Sequence, residues 1–231
     1  MPHVQISYSF EADARNWVRI AKNKTGTFEL SKDKERGFLE QLPGVDWDLS
    51  EEELQQVVSK FLKKNIEWQK KIVENLEVLK DVWKRHEQAY FVALEKLTGR
   101  PIYTETFFAQ LTTASLCPYD VRSSSFLVHA LMEVDIQVTV IAHEIFHLQF
   151  LRIFWDDCVR AGLSQNQIDV LKEALTVLLN GSEFSSLIKS PDLGYPAHQE
   201  LRLKLKKLWE KDRLFSVFLP AAIHLMLSLP R

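Results

Sequence analysis

The sequence predicts a predominantly helical α+β protein, and three observations carry that expectation. Seven glycines occur in 231 residues, well under the usual ~7%. A chain so poor in the residue that tolerates positive φ has little use for tight hairpins. Residues 50–98 contain neither glycine nor proline and keep apolar side chains three or four apart, the helical period. Strand-like alternation is confined to the N-terminus and to the stretch between 102 and 130. The length suits one large core, and we read 1–231 as a single domain with subregions 1–49, 50–98 and 99–231.

Val4, Ile6, Tyr8 and Phe10 alternate with polar or small residues, which predicts a strand with one buried face. Residues 13–21 read as a short helix with Trp17 and Ile20 on its apolar side. Residues 22–49 are mixed, broken by Gly26, Gly37 and the Pro43-Gly44 pair. Ser50 followed by Glu53 forms a capping box, and three glutamates fill the first turn where the helix dipole favours them. The stretch from there to Thr98 lacks a strict heptad, so it reads as amphipathic helix with a charged solvated face rather than a coiled-coil arm. As one helix it would run ~73 Å, too long for a compact domain of this size, and a bend is expected near Asn65 or Asn75. Gly99-Arg100-Pro101 ends it. Residues 102–113 and 124–130 read as strands, with a turn at Cys117-Pro118-Tyr119-Asp120 between them. Helices are expected over 134–154, 163–180 (closed by Gly181), 196–209 and 214–229.

Composition excludes several classes. The formal net charge of −2 argues against a nucleic-acid binder driven by bulk charge. The glycine positions exclude both the dinucleotide-binding turn and the P-loop. Cys117 and Cys158 are too few for a disulfide framework and lack the charged neighbours of a reactive thiol, and no signal peptide or membrane span is read. These features lead us to expect a cytoplasmic protein with no nucleic-acid or membrane partner.

One motif carries chemistry. His143-Glu144-Ile145-Phe146-His147 reads H-E-x-x-H in a run expected to be helical. Residues four apart share a helix face, so both imidazoles can address one ion, and Glu144 can reach a water beside it. Val138, Val140, Ile141, Ala142 and Leu148 make the surroundings apolar, where three polar side chains need partners and a metal supplies them. A catalytic zinc needs a third protein ligand and an open position. Phe150 and Ile153 stand where the H-E-x-x-H-x-x-G-x-x-H pattern needs Gly and His, which excludes that solution. Glu173, on an apolar helix with Ile168, Leu171, Leu175 and Leu178, is the candidate third ligand. Asp156 and Asp157 are the fallback.

The H-E-x-x-H motif followed by a helix bearing Lys172-Glu173-Ala174 resembles the gluzincin, thermolysin-like group of zinc metallopeptidases. The resemblance spans about 123–180. It implies a zincin-like core in 99–231, a small sheet beside the H-E-x-x-H helix and a helical C-terminal half. It also implies Zn²⁺ held by His143, His147 and Glu173, Glu144 as general base, and a peptide or protein substrate. The family's Tyr or His donor to the developing oxyanion falls in this part of the chain on Tyr195 or His198. Two departures stand out. Gln149 replaces a usual hydrophobic residue, and the acidic residue expected a turn after the glutamate is replaced by Thr176 and Val177. They motivate the alternative, a non-catalytic zincin-like binding or regulatory protein. For a substrate strand, 124–130 is the expected sheet edge. The run of cations from Arg202 to Arg213 reads as a solvated helix face, and the oligomeric state is left open.

Overall fold

The computed structural model describes residues 1–22 and 36–229. The expected break at Gly26 lies outside them. The chain is mostly helical with one small mixed sheet, as its glycine poverty and periodicity imply.

Strand β1 is His3–Ser7, shorter than expected, because Ser9 turns the chain into helix α1 (Phe10–Lys22). The Ser9 hydroxyl accepts from the Ala12 N–H and so caps the helix that Phe10 begins. Helix α2 (Glu51–Leu62) starts at the Ser50–Glu53 capping box, with both reciprocal bonds formed. The bend falls at Asn65, whose side chain caps helix α3 (Ile66–Thr98) by accepting from Trp68 N–H. Asn75 is not a break. It lies inside α3 and donates to the Ala130 and Met132 carbonyls, tying the helix to the loop after the sheet. Gly99, at φ 64°, closes α3 with a left-handed cap.

Strand β2 is Thr106–Thr112 and strand β4 is Ser125–His129. Between them, where a turn is expected, Tyr119–Asp120 forms the short strand β3. The sheet order is β1-β2-β4-β3, with the first three parallel and β3 antiparallel to β4. The 124–130 segment is therefore not a free edge. Leu127 N–H donates to Pro118 O, and Gln137 takes up the His129 and Ala130 carbonyls. The edge beside the helices is β3.

Helix α4 runs Val134–Arg160, two turns beyond expectation, since nothing between 154 and 160 breaks it. Helix α5 (Gln165–Leu175) opens on a second capping box, Ser164–Gln167, and tightens to a 3₁₀ turn over Thr176–Asn180, where a single helix is expected. A 3₁₀ turn at Pro196–His198 precedes α6 (Gln199–Lys211), and α7 (Phe215–Ser228) continues through Pro220.

The main core packs Ile6, Phe107, Leu111, Phe126 and Val128 of the sheet against α3, α4 and the C-terminal helices. A second cluster joins α1, α2 and residues 38–49, and Trp68 packs against both. The buried carboxylate of Asp13 links that cluster to the end of β2, accepting from both Thr112 and Thr113 hydroxyls and from Thr113 N–H at 2.7–2.9 Å. Among the described residues no helix is long and apolar enough to cross a membrane.

Candidate metal centre

The centre is built where α4 and α5 pass behind β3. His143 and His147 sit one turn apart on α4 with ring centroids 4.1 Å apart. Donor atoms of His143, Glu144 and His147 all lie within 4.8 Å of one another, so these three residues form a candidate metal-binding cluster. Across from them, one oxygen of Glu173 on α5, Oε2, lies 3.5 Å from both His143 Nε2 and His147 Nε2. His147 is 1% exposed, and neither of its ring nitrogens has a hydrogen-bond partner among the described residues. Glu144 Oε2 is likewise buried and unbonded. Orphaned donors of this kind are costly in an apolar interior unless an ion or water meets them. That is the observation by which these residues fit a metal.

A second layer orients the first. His143 Nδ1 lies 2.5 Å from Asp192 Oδ2. The other carboxylate oxygen of Asp192 accepts from Thr176 Oγ1 at 3.0 Å and from Arg202 Nη2 at 2.7 Å. Arg202 also donates to Thr176 Oγ1 and to the Asp192 carbonyl, and Asn180 brackets the Asp192 backbone from both sides. Thr176, standing where an acid is expected, thus holds an acid that arrives from a distant loop. Arg202 is 3% exposed, so it is not part of a solvated face. Gly194 stands where φ is +61° and an added Cβ would lie 2.6 Å from the Arg202 guanidinium. Only glycine fits that approach.

Lys172, also 3% exposed, donates to Glu173 Oε1 at 2.8 Å and to Tyr119 Oη at 3.1 Å. It occupies one oxygen of Glu173 and leaves the other facing the histidines. Tyr119 in turn packs edge-on to His147 at 6.1 Å between centroids. These contacts set the charges. Burial opposes the His143 cation, but its bonds to Asp192 and Glu173 outweigh it and push the imidazole up to about 10. His147 is held well below the ordinary range by burial and by the cations of His143 and Lys172. Burial pushes Glu144 up to about 7, against the pull of His143 and Lys172. Glu173 and Asp192 stay below the ordinary carboxylate range. Burial opposes this, but His143 and Lys172 hold Glu173 down, and His143 and Arg202 hold Asp192 down.

Among the described residues Tyr195 and His198 make no direct bond to the centre. Their rings are 5.6 Å apart. The Tyr195 phenol is raised by burial and by the charges of Glu173 and Glu144, while His198 Nδ1 is buried without a partner. Asp156 and Asp157, the fallback ligands, lie inside the lengthened α4. Asp157 pairs with Arg160, and neither joins the cluster. Gln149 is a structural residue, donating to Pro101 O and accepting from Tyr103 N–H to pin the entry to β2. Both cysteines are free thiols, and burial pushes Cys117 up to about 12 and Cys158 up to about 11.

Asp192, Arg202 and Lys172 were not legible as site residues. The only local signal for Asp192 is its place in a Pro-Asp-Leu-Gly turn. A comparison with family models, with curated proteins and with solved structures finds no match to this chain. The assignment of chemistry therefore rests on the centre itself.

Proposed function

We propose that the chain is a zinc-dependent metallopeptidase whose ion is held by His143, His147 and Glu173. The observation that carries this reading is the convergence of both Nε2 atoms on one Glu173 oxygen at 3.5 Å. Each imidazole nitrogen lies close enough to that oxygen for the pair to share one ion at ordinary zinc–nitrogen and zinc–oxygen lengths. Glu144 lies beside the histidines with a buried oxygen that no hydrogen bond takes up among the described residues, which leaves it open to act as a base.

Bound there, zinc supplies Lewis acidity for polarising a carbonyl and acidifying water. The chain's own residues do the rest. Asp192 fixes the tautomer and ring angle of His143. Lys172 keeps Glu173 presenting a single oxygen. Glu144, buried beside the histidines, takes a proton from the attacking water and returns it to the leaving amine. Tyr195 or His198 is the proposed donor to the developing oxyanion. Because Pro118 O bonds back to β4, the next residue in the alternation, Tyr119, turns its N–H and C=O outward from the sheet. A substrate backbone can pair there by strand addition, next to His147.

The test is the purified chain with one equivalent of zinc and a diverse peptide mixture. Glu144→Gln should retain zinc and lose cleavage. Zinc uptake without cleavage by the wild type would instead favour the non-catalytic alternative.

A further inference from the structure

Beside Tyr119 lies a cavity of about 460 Å³, bounded by Tyr119 of β3, by Val121 of the turn after it, by Arg152, Trp155 and Asp156 of α4, and by Asp169 of α5. Nothing in the proposed mechanism uses it. Its volume falls in the range that takes a side chain or small ligand. We propose that this cavity is the subsite that selects a lysine or arginine side chain of the substrate, an inference that rests on the peptidase reading.

Three features support a cation. First, Asp156 and Asp169 have no hydrogen-bond or ion-pair partner among the described residues, although both face the cavity. Asp169 is half-buried, and burial raises its carboxyl above the ordinary range against the charge of Lys172. A carboxylate partly removed from water without a partner is one that an incoming cation relieves. Second, Trp155 supplies an aromatic wall, and an indole face attracts ammonium and guanidinium groups. Third, the one cation of the lining, Arg152, is exposed to solvent and is outnumbered by the two carboxylates. An acidic substrate side chain would meet two carboxylates, and an aliphatic one would cover the half-buried Asp169 without offering it a cation.

The edge strand connects this cavity to the centre. Tyr119 carries the link, since its ring packs against His147 and also lines the cavity, so the face of β3 that bears it is turned to both. Tyr119 pairs across the ladder with buried Phe126, which places that face toward the helices. A peptide paired outside Tyr119 turns alternate side chains to the same face, one of them toward the cavity. The selected residue therefore lies close in sequence to the bond presented at His147.

The experiment uses the full chain and two kinds of probe. N-acetyl-arginine amide and its neutral counterpart, N-acetyl-norleucine amide, are titrated while the Trp155 indole resonance is followed by NMR. Blocked ends leave the side chain as the only difference. The arginine amide should shift the resonance and the norleucine amide should bind about tenfold more weakly or not at all. The Asp156→Asn/Asp169→Asn double variant should erase that difference, and its unchanged zinc uptake would show that the centre is intact. Equal response to both amides, or a preference that survives the double variant, overturns the proposal. Blocked peptides containing Arg, Lys, Glu or norleucine are then offered to the zinc-loaded chain. Arginine-amide binding without any cleavage would leave the subsite standing and remove the peptidase reading. Cleavage indifferent to the basic residue would do the reverse.

Discussion

The Asp192 carboxylate meets His143 Nδ1 at 2.5 Å across 49 residues of chain, and its other oxygen is held by Arg202 and Thr176. Carboxylates behind metal-binding imidazoles typically contribute 10–100-fold in metal affinity. Asp192→Ala should therefore weaken zinc binding by about that factor in a chelator competition, while Asp169→Asn, outside the network, should leave it unchanged. Equal affinity of Asp192→Ala and wild type would remove Asp192 from the account.

Gly194 touches no candidate ligand, yet its substitution should be felt at the centre. A Cβ there would lie 2.6–2.9 Å from Arg202 atoms on a backbone with φ +61°. Gly194→Ala should cost about 1–3 kcal/mol in denaturant unfolding and should also lower zinc affinity by displacing Arg202 from Asp192.

Lys172 and Glu173 are a buried pair with side chains 4% and 18% exposed. Removing the cation leaves a carboxylate without its partner, a loss on the order of 3 kcal/mol. Lys172→Met should thus unfold earlier without metal. Zinc should restore more stability to the variant than to the wild type, because the ion replaces the lost positive charge. Thermal melts with and without zinc check this, and an equal zinc shift in both proteins would contradict it.

Cys158 is wholly buried, and burial followed by the charge of Asp157 pushes its thiol up to about 11. The folded value lies above that of the unfolded chain, so the contribution to stability is full at neutral pH. It is lost as pH rises from the unfolded value through about 11. Native Cys158 should resist alkylation at pH 8 and react once the chain is unfolded. Mass spectrometry after timed iodoacetamide treatment measures the difference, and rapid native labelling would contradict it.

Local signals were legible and distant ones were not. The Ser50 and Asn65 caps, the Gly99 stop and the four-residue spacing of His143 and His147 each depend on neighbours within one or two turns. Sequence periodicity reports such neighbours directly. The two-residue strand at Tyr119 is too short to show alternation, and its pairing with Phe126 is fixed by tertiary contact. Asp192 and Arg202 lie far from α4 in the chain, and their roles follow from the fold that brings them together. Arg202 in particular reads as one cation in a charged helix, and only its burial sets it apart.

The most direct test of the central claim is a zinc-edge anomalous difference map from crystals of the wild-type chain grown with zinc. One strong peak should lie about 2.0–2.2 Å from His143 Nε2, His147 Nε2 and Glu173 Oε2 together. A peak that excludes Glu173, or no peak between the two histidines, would contradict it.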